Sequence, residues 1–299
     1  MSNPCDQNQI SLIVVNYNAG DALLDCVASV IGRVGEIVVV DNASSDNSIE
    51  KLTNKYGSVN GVAVIELSEN LGFSKACNLG YKHASGQYLF FLNPDCVVEP
   101  DTIQILCTEL KNQPDAGMAG GLLLNPDGTE QAGGRRLVPT PWRSFVKAFG
   151  LSFLRNFFPK YFSDFSLHDQ QLPSHPVAVE AISGACMFVK REAIERVGLL
   201  DEGYFMHCED LDWCMRFREK DWRIMFVPQA KVIHAKGTCS RSRPIFVEWH
   251  KHKGMARFYK KFFYDKYPHL LMWPVLLSVW LRFVMVAAYY SCRRVFAVR

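Results

Sequence analysis

The chain has 299 residues, 48% of them hydrophobic, enough to bury a substantial core, which excludes a disordered or fibrous protein. Its formal charge of +3 hides an asymmetry, because residues 241–299 carry twelve Lys and Arg against Glu248 and Asp265; a basic tail on an acidic body is expected to meet an anionic surface. The polar start MSNPCDQNQ lacks the apolar run of a secretory signal, and ten scattered cysteines without a C-x-x-C pair read as small buried hydrophobes of a reducing compartment.

In chain order, the runs SLIVV, EIVVV, VAVIEL, QYLFFL and AGMAGGLLL predict strands. Between them DALLDCVASVI, SDNSIEKLTNKY, SKACNLGYKHA and DTIQILCTELK have helical periodicity. Near-continuous apolar strands alternating with helices predict an α/β fold whose mostly parallel sheet is covered on both faces. In such a sheet the strand ends line one ligand crevice. Here those ends carry Asn16-Tyr17-Asn18, Asp41-Asn42, Ser68-Glu69-Asn70 and Asn93-Pro94-Asp95. Ser44, Ser45 and Asp46 suit turn and cap positions, whereas Asp41 and Asp95 come directly off buried strands and read as ligand contacts.

Residues 126–180 are rich in Gly, Pro and aromatics and lack periodicity, as a lid or partner-binding excursion would. Regular pattern returns with ACMFVKR as a strand, REAIERVG as a helix, Glu209 to Lys220 as a helix opened by acids, then RIMFVP and KVIHAKG. The expected division is a domain over 1–240, with halves at about 1–125 and 126–240, followed by a helical region over 241–299.

Neither G-x-G-x-x-G after a strand nor G-x-x-x-x-G-K-[ST] is present, which weakens dehydrogenase and phosphate-loop readings. If a nucleotide binds, a divalent cation must balance its phosphates. Asp95 offers a hard oxygen ligand for Mg²⁺ or Mn²⁺, and His234 is the expected second ligand.

The segments VVNYN, VVVDNASSD, NLGFSKACNLG, FLNPD, SGACMFVKR, FMHCEDLDWCMR and VPQAKVIHAKG, in this order over about residues 10–240, resemble the GT-A inverting glycosyltransferases of family 2, especially their rhamnosyltransferase-like branch. The resemblance implies the GT-A nucleotide-diphosphate-sugar transferase fold, a nucleotide-sugar donor and a divalent cation. By position, Asp41 would bond the nucleotide base with Asn16 and Tyr17 beside it, and Asn70, Gly72 and Asn78 would lie near the donor. Asn93-Pro94-Asp95 takes the place of the family's D-x-D, with Asn93 replacing the first Asp, so Asp95 would bind the metal together with His234. Asp210 would be the general base, since an acceptor hydroxyl attacks only as its proton is removed. Gly184 and Glu209 fall on the acceptor side. Asp212 reads equally as an Arg216 partner or a site residue, and Trp213 as a sugar platform or core filler. Crowding of the three acids should raise one pKa. The implied donor is dTDP-L-rhamnose and the implied acceptor a lipid-linked saccharide of surface polysaccharide assembly. A UDP-hexose donor, or a catalytically inactive sugar-nucleotide-binding scaffold, is the alternative.

Leu270 to Tyr290 is apolar and long enough, at about 31 Å as a helix, to cross a bilayer core. Pro274, a central Arg282 costing about 3 kcal/mol, and basic residues on both flanks favour a helix lying on the cytoplasmic face of the membrane instead. HKHKGMARFYKKFF is expected to add attraction to anionic lipid, and burial in a core or homo-oligomer interface is the competing reading. Aromatic and apolar content continuing into the tail speaks against nucleic acid as the partner.

Overall fold

The computed structural model describes residues 5–235 and 243–296. The first four residues, Lys236 and Gly237 of the KVIHAKG run, Cys239 and Arg299 therefore lie outside the described residues. In chain order the elements are β1 (Ile10–Asn16), α1 (Asp21–Val30), β2 (Glu36–Asp41), α2 (Ser48–Tyr56), β3 (Val62–Glu66), α3 (Phe73–His83), β4 (Tyr88–Leu92), β5 (Cys96–Val98) and α4 (Thr102–Asn112). There follow β6 (Ala116–Leu124), β7 (Arg135–Arg136), α5 (Pro141–Ala148), α6 (Pro159–Phe162), β8 (Val177–Val179), β9 (Ala181–Ile182) and β10 (Cys186–Lys190). The chain ends with α7 (Arg191–Val197), α8 (Glu209–Glu219), β11 (Arg223–His234), α9 (Pro244–Phe263) and α10 (His269–Phe296).

The central sheet runs β3-β2-β1-β4-β10-β6-β11-β5, with β8 also on β11. Parallel pairing, as expected, joins β3, β2, β1 and β4, each reached through a crossover helix. Beyond β4 the sheet is mixed. β10 enters antiparallel between β4 and β6, and β5 and β8 pair antiparallel with β11. These late strands arrive from turns and from the aperiodic excursion without crossover helices, so nothing constrains them to the parallel direction. The two expected runs RIMFVP and KVI form one strand, whose register slips between Val227 and Lys231, around Pro228, which has no N–H for the ladder.

Alternation along β1 assigns the two faces. Ile13 and Val15 join one core with Val38, Phe91 and Trp213; Ile10, Leu12 and Val14 join the other with Val39, Phe90 and Leu106. The sheet is thus buried on both sides, as its continuous apolar runs require. Most described cysteines are buried as expected, but Cys292 is exposed. Cys5 and Cys107 form a disulfide with Cα atoms 6.1 Å apart, a correction to the reading of every cysteine as an unpaired apolar filler, since no spacing in the sequence reports two residues meeting across α4.

Helix α9 belongs to the core, where Phe258, Phe262 and Phe263 pack in the cluster around Trp213. Gly254 permits the close approach, since a Cβ there would lie 2.7 Å from the His207 carbonyl oxygen. Two of its cations are committed, Arg257 and Lys261 pairing with Asp201 at 3.0 and 2.8 Å. The most exposed part of the tail is α10, whose Met272 is buried in the core with Val275, Leu276 and Val279 packed against it, and which touches α9 through Trp249 on Trp280 and Phe283. It is long and apolar enough to cross a membrane, and very little of it is buried.

Candidate active site

The Asn93-Pro94-Asp95 turn leaves β4, closed by the Cys96 N–H on the Asn93 carbonyl at 3.1 Å. Antiparallel pairing sets His234 opposite Cys96, and the Ala235 N–H donates to the Asp95 carbonyl at 2.9 Å. Residues distant in sequence meet here, His234 Nε2 lying 3.2 Å from Asp95 Oδ1 with both side chains buried.

The orientation of the His234 ring follows from Gln131, a buried residue that the sequence pattern does not single out. Its amide nitrogen donates to the His234 carbonyl at 3.1 Å and to Asn125 Oδ1 at 3.0 Å, so its Oε1 is the acceptor facing His234 Nδ1 at 2.6 Å. That places a proton on Nδ1 and turns Nε2 towards the Asp95 carboxylate, with the Asn93 side-chain amide 3.5 Å from the same nitrogen. Nε2 and Asp95 Oδ1 converge at one buried point, where a divalent cation would find two protein ligands. Cys96 is the third group within 4.8 Å. Its thiol donates to the Ala185 carbonyl at 3.5 Å, which leaves a carboxylate oxygen and an imidazole nitrogen as the pair suited to a hard cation. That donor set fits Mn²⁺ or Mg²⁺ completed by phosphate oxygens and water.

At the neighbouring strand ends, Asn16 and Asp41 stand side by side in the β1–β2 register. Asn16 Nδ2 donates to Asp41 Oδ1 at 2.7 Å, and Ser44 donates to the same carboxylate through its hydroxyl at 2.6 Å and its N–H at 2.9 Å. The Asp41 carboxylate is thereby set rigidly at the mouth, and Tyr17 is half-buried beside it. Asn70 accepts the Gly72 N–H at 3.0 Å. Gly72 opens α3 with φ 87°, and a Cβ there would come within 2.6 Å of the Phe205 carbonyl oxygen, so no other residue fits. Asn78 departs from its expected donor contact. Both its amide protons go to the Leu200 carbonyl and Glu202, and its oxygen accepts the Leu200 N–H. It ties α3 to the segment before α8.

Asp210 opens α8, where acids suit the positive end of the macrodipole. Its Oδ1 accepts the Leu211 N–H at 2.8 Å, and its Oδ2 accepts the Gly184 N–H at 3.0 Å together with the Arg136 guanidinium. The next residue, Ala185, accepts the Asn93 N–H at 3.0 Å and the Cys96 thiol at 3.5 Å. Residues 184 and 185 therefore join the Asp210 carboxylate, through backbone hydrogen bonds, to the turn that carries Asp95. Burial works against the Arg136 charge, but the neighbouring Asp210 carboxylate outweighs it and the guanidinium pKa is raised. Arg136, like Gln131, lies in the aperiodic Gly-rich stretch, where a lone polar residue carries no pattern to betray it; only its position on β7 against β9 brings it to α8.

The acid whose pKa rises is Glu209. Burial first, and the Asp210 charge second, push it from an ordinary 4.5 to about 8. In the unfolded chain the proton leaves near the ordinary value, whereas the native state holds it longer, so this group's contribution to stability falls as pH rises from about 4.5 to about 8. Glu209→Gln should flatten that slope, with a relative gain over the wild type that grows from pH 5 to pH 8, read as melting temperature across that range. Equal slopes in the two proteins would refute the assignment.

Two neighbours are structural. Asp212 is fully buried and bridges Arg216 at 2.7 Å and Lys261 at 2.6 Å, which binds α8 to α9. Trp213 is no exposed sugar platform: it is 1% exposed, its indole donates to the Gly198 carbonyl at 2.9 Å, and its ring meets Phe91 and Phe217 edge-on. Position 213 falls on the inward face of α8, whereas 209 and 210 lie at its mouth.

Among known proteins, the chain is 27% identical over 241 residues to the N-acetylglucosaminyl-diphospho-decaprenol L-rhamnosyltransferase of Mycobacterium tuberculosis (strain ATCC 25618 / H37Rv), covering 76% of each chain. It is 24% identical over 237 residues to the low-salt glycan biosynthesis hexosyltransferase Agl10 of Haloferax volcanii, covering 76% of this chain and 67% of that one. In fold it resembles the mannosyltransferase PcManGT from Pyrobaculum calidifontis, solved with GDP-Man and Mn²⁺, at a TM-score of 0.56 and 15% identity over 97% of this chain and 81% of that one. GalNAc-T7, solved with UDP, GalNAc and Mn²⁺, matches at a TM-score of 0.58 and 20% identity over 78% of this chain and 44% of that one. These likenesses agree with the GT-A glycosyltransferase fold built above. The family model for glycosyl transferase family 2 matches residues 11–198, and with the sheet, the strand-end carboxylates and the Gly184–Ala185 junction in place, the chain belongs to glycosyltransferase family 2.

Proposed function

We propose that the protein is an inverting glycosyltransferase that moves L-rhamnose from dTDP-L-rhamnose to a lipid-linked saccharide at the cytoplasmic face of the membrane, in cell-surface polysaccharide synthesis. The observation that carries the reading is the Asp210 carboxylate, held by Gly184 N–H and Arg136 and joined through residues 184 and 185 to the turn that carries Asp95, whose carboxylate faces His234. The rhamnosyl specificity and the lipid-linked acceptor are supported by the mycobacterial relative named for both; the haloarchaeal hexosyltransferase keeps a hexose donor as the second reading.

On this reading, the rigid Asn16–Asp41 pair, with Tyr17 beside it, receives the nucleoside. A divalent cation held by Asp95 and His234 would neutralise the donor's diphosphate. Gln131 keeps the imidazole proton on Nδ1 and so keeps Nε2 available. Asp210 takes the proton of the acceptor hydroxyl as its oxygen bonds to the anomeric carbon; the bond to the nucleoside diphosphate breaks on the opposite side, which inverts the configuration. Arg136 and Gly184 aim the carboxylate and hold it in place until an acceptor hydroxyl arrives.

A thermal-shift screen of nucleotide sugars with Mn²⁺ or Mg²⁺ tests the donor, since a ligand that binds only the native state stabilises it according to occupancy. The largest shift is expected from dTDP-L-rhamnose. A larger one from a UDP-hexose would reassign the donor, and none from any sugar nucleotide would remove the reading.

The membrane part rests on α10. Leu270, Trp273, Leu277, Leu281 and Val284 form an exposed apolar row at helical spacing, which suits a helix lying in the bilayer interface. Deleting residues 268–299 is expected to shift the protein from the floating vesicle fraction to the soluble one in a liposome flotation assay. A truncated protein that still floats would place the anchor elsewhere.

A further inference from the structure

A separate cavity of about 920 Å³ opens beside the site, between the 126–180 excursion and the end of α9. Its walls include Trp142 and Tyr161 from the excursion and Phe263 and Tyr267 from the tail; its cations are Lys160 and Arg218. The remaining charges there, Arg143 and Glu180, neutralise each other in a 2.5 Å ion pair. Lys160 and Arg218 form no close ion pair among the described residues, although Arg218 also lies in the field of Glu180 and donates to the Met215 sulfur at 3.8 Å; three cations against one carboxylate leave the cavity with a net positive charge set in aromatic walls.

Its position gives this chemistry meaning. Leu137 and Val138, which also line it, directly follow Arg136, the partner of Asp210. Arg218 lies eight residues along α8 from Asp210, about 12 Å of helical rise. At its other end Tyr267 stands two residues before α10, whose exposed apolar row begins at Leu270. The cavity therefore lies along α8 from the candidate base and reaches, at Tyr267, the segment that leads into the apolar helix.

We propose that this cavity binds the diphosphate and first isoprene units of a polyprenyl-diphosphate acceptor, an inference that rests on the lipid-linked-acceptor reading above. Lys160 and Arg218 match a diphosphate's charge. Trp142, Tyr161, Phe263 and Tyr267 give an allylic chain an apolar, polarisable surface, and the sugar end is directed along α8 towards Asp210. The rest of the lipid leaves past Tyr267 into the layer occupied by α10.

The test uses a photoreactive diazirine analogue of farnesyl diphosphate on the full-length protein in detergent. A chelator is present throughout, so that the Asp95–His234 corner does not compete for the diphosphate. Crosslinks are expected on the peptides bearing Trp142, Tyr161 or Tyr267, with competition by unlabelled farnesyl diphosphate at least about tenfold stronger than by farnesol or inorganic diphosphate. The double variant Lys160→Ala/Arg218→Ala should label at least about tenfold less, a loss that two charge-assisted contacts readily account for, with unchanged melting temperature and an unchanged thermal shift with metal and nucleotide sugar. Labelling confined to α10, or undiminished in the double variant, overturns the proposal. If nucleotide sugars bind while the probe does not, this cavity inference falls and the transferase reading stands; failure of both removes the transferase reading as well.

Discussion

Asp210→Asn is expected to lower the rate of sugar transfer by about three orders of magnitude, within the range for loss of a positioned general base, while donor affinity stays within about twofold. The amide keeps the shape of the carboxylate but has a single acceptor oxygen, so it can accept the Gly184 N–H or the Leu211 N–H and not both. What is lost is the capacity to take a proton from the acceptor hydroxyl. The substitution also removes the partner of the buried Arg136 charge, so melting temperature must be measured beside the kinetics: a folded protein with a normal donor shift and no transfer supports the assignment. Near-wild-type turnover would exclude Asp210 as the base, and Glu209, whose raised pKa keeps it protonated near neutrality, would not be a ready substitute.

The second large effect is expected from Asp95→Asn, which should weaken divalent-cation binding about a hundredfold or more and carry metal-dependent donor binding with it. In the present arrangement the carboxylate and His234 Nε2 face each other at 3.2 Å. An amide in place of the carboxylate carries no charge and offers only a neutral oxygen beside Nε2, a far weaker ligand for a hard cation. Manganese titration followed by electron paramagnetic resonance reads this directly, without relying on turnover. Gln131→Leu leaves both ligands in place and frees only the imidazole tautomer, so an intermediate loss of about tenfold is expected, as for other groups that orient a metal ligand. Unchanged manganese affinity in Asp95→Asn would move the metal to another part of the molecule.

Much of the architecture was readable beforehand wherever a segment was long enough to show a period. Every helix flanking the parallel half begins and ends close to where its apolar spacing predicts, because each must bury one stripe against the sheet. The acids at Glu209, Asp210 and Asp212 were visible as a cluster, but their division of labour was not. Two residues, about 200° around the helix, separate the Asp210 carboxylate from that of Asp212, sealed between Arg216 and Lys261, and that difference depends on which face of α8 meets α9. Trp213 fails as a platform for the same reason. Asn78 fails as a donor contact because the loop at Leu200, remote in sequence, takes all its hydrogen bonds.

By itself the amino-acid order determined the α/β alternation, the polar residues at the strand ends and the apolar, basic-flanked tail, since these are local consequences of side-chain periodicity and charge. Only the tertiary structure decided that β10 and β5 run antiparallel, that Gln131 faces His234 Nδ1, that Arg136 holds Asp210, and that a cationic aromatic cavity opens between the 126–180 excursion, α8 and the end of α9. Short strands and single polar side chains in aperiodic loops carry no repeating signal; their partners are chosen by long-range packing, which acts only once the chain has closed on itself.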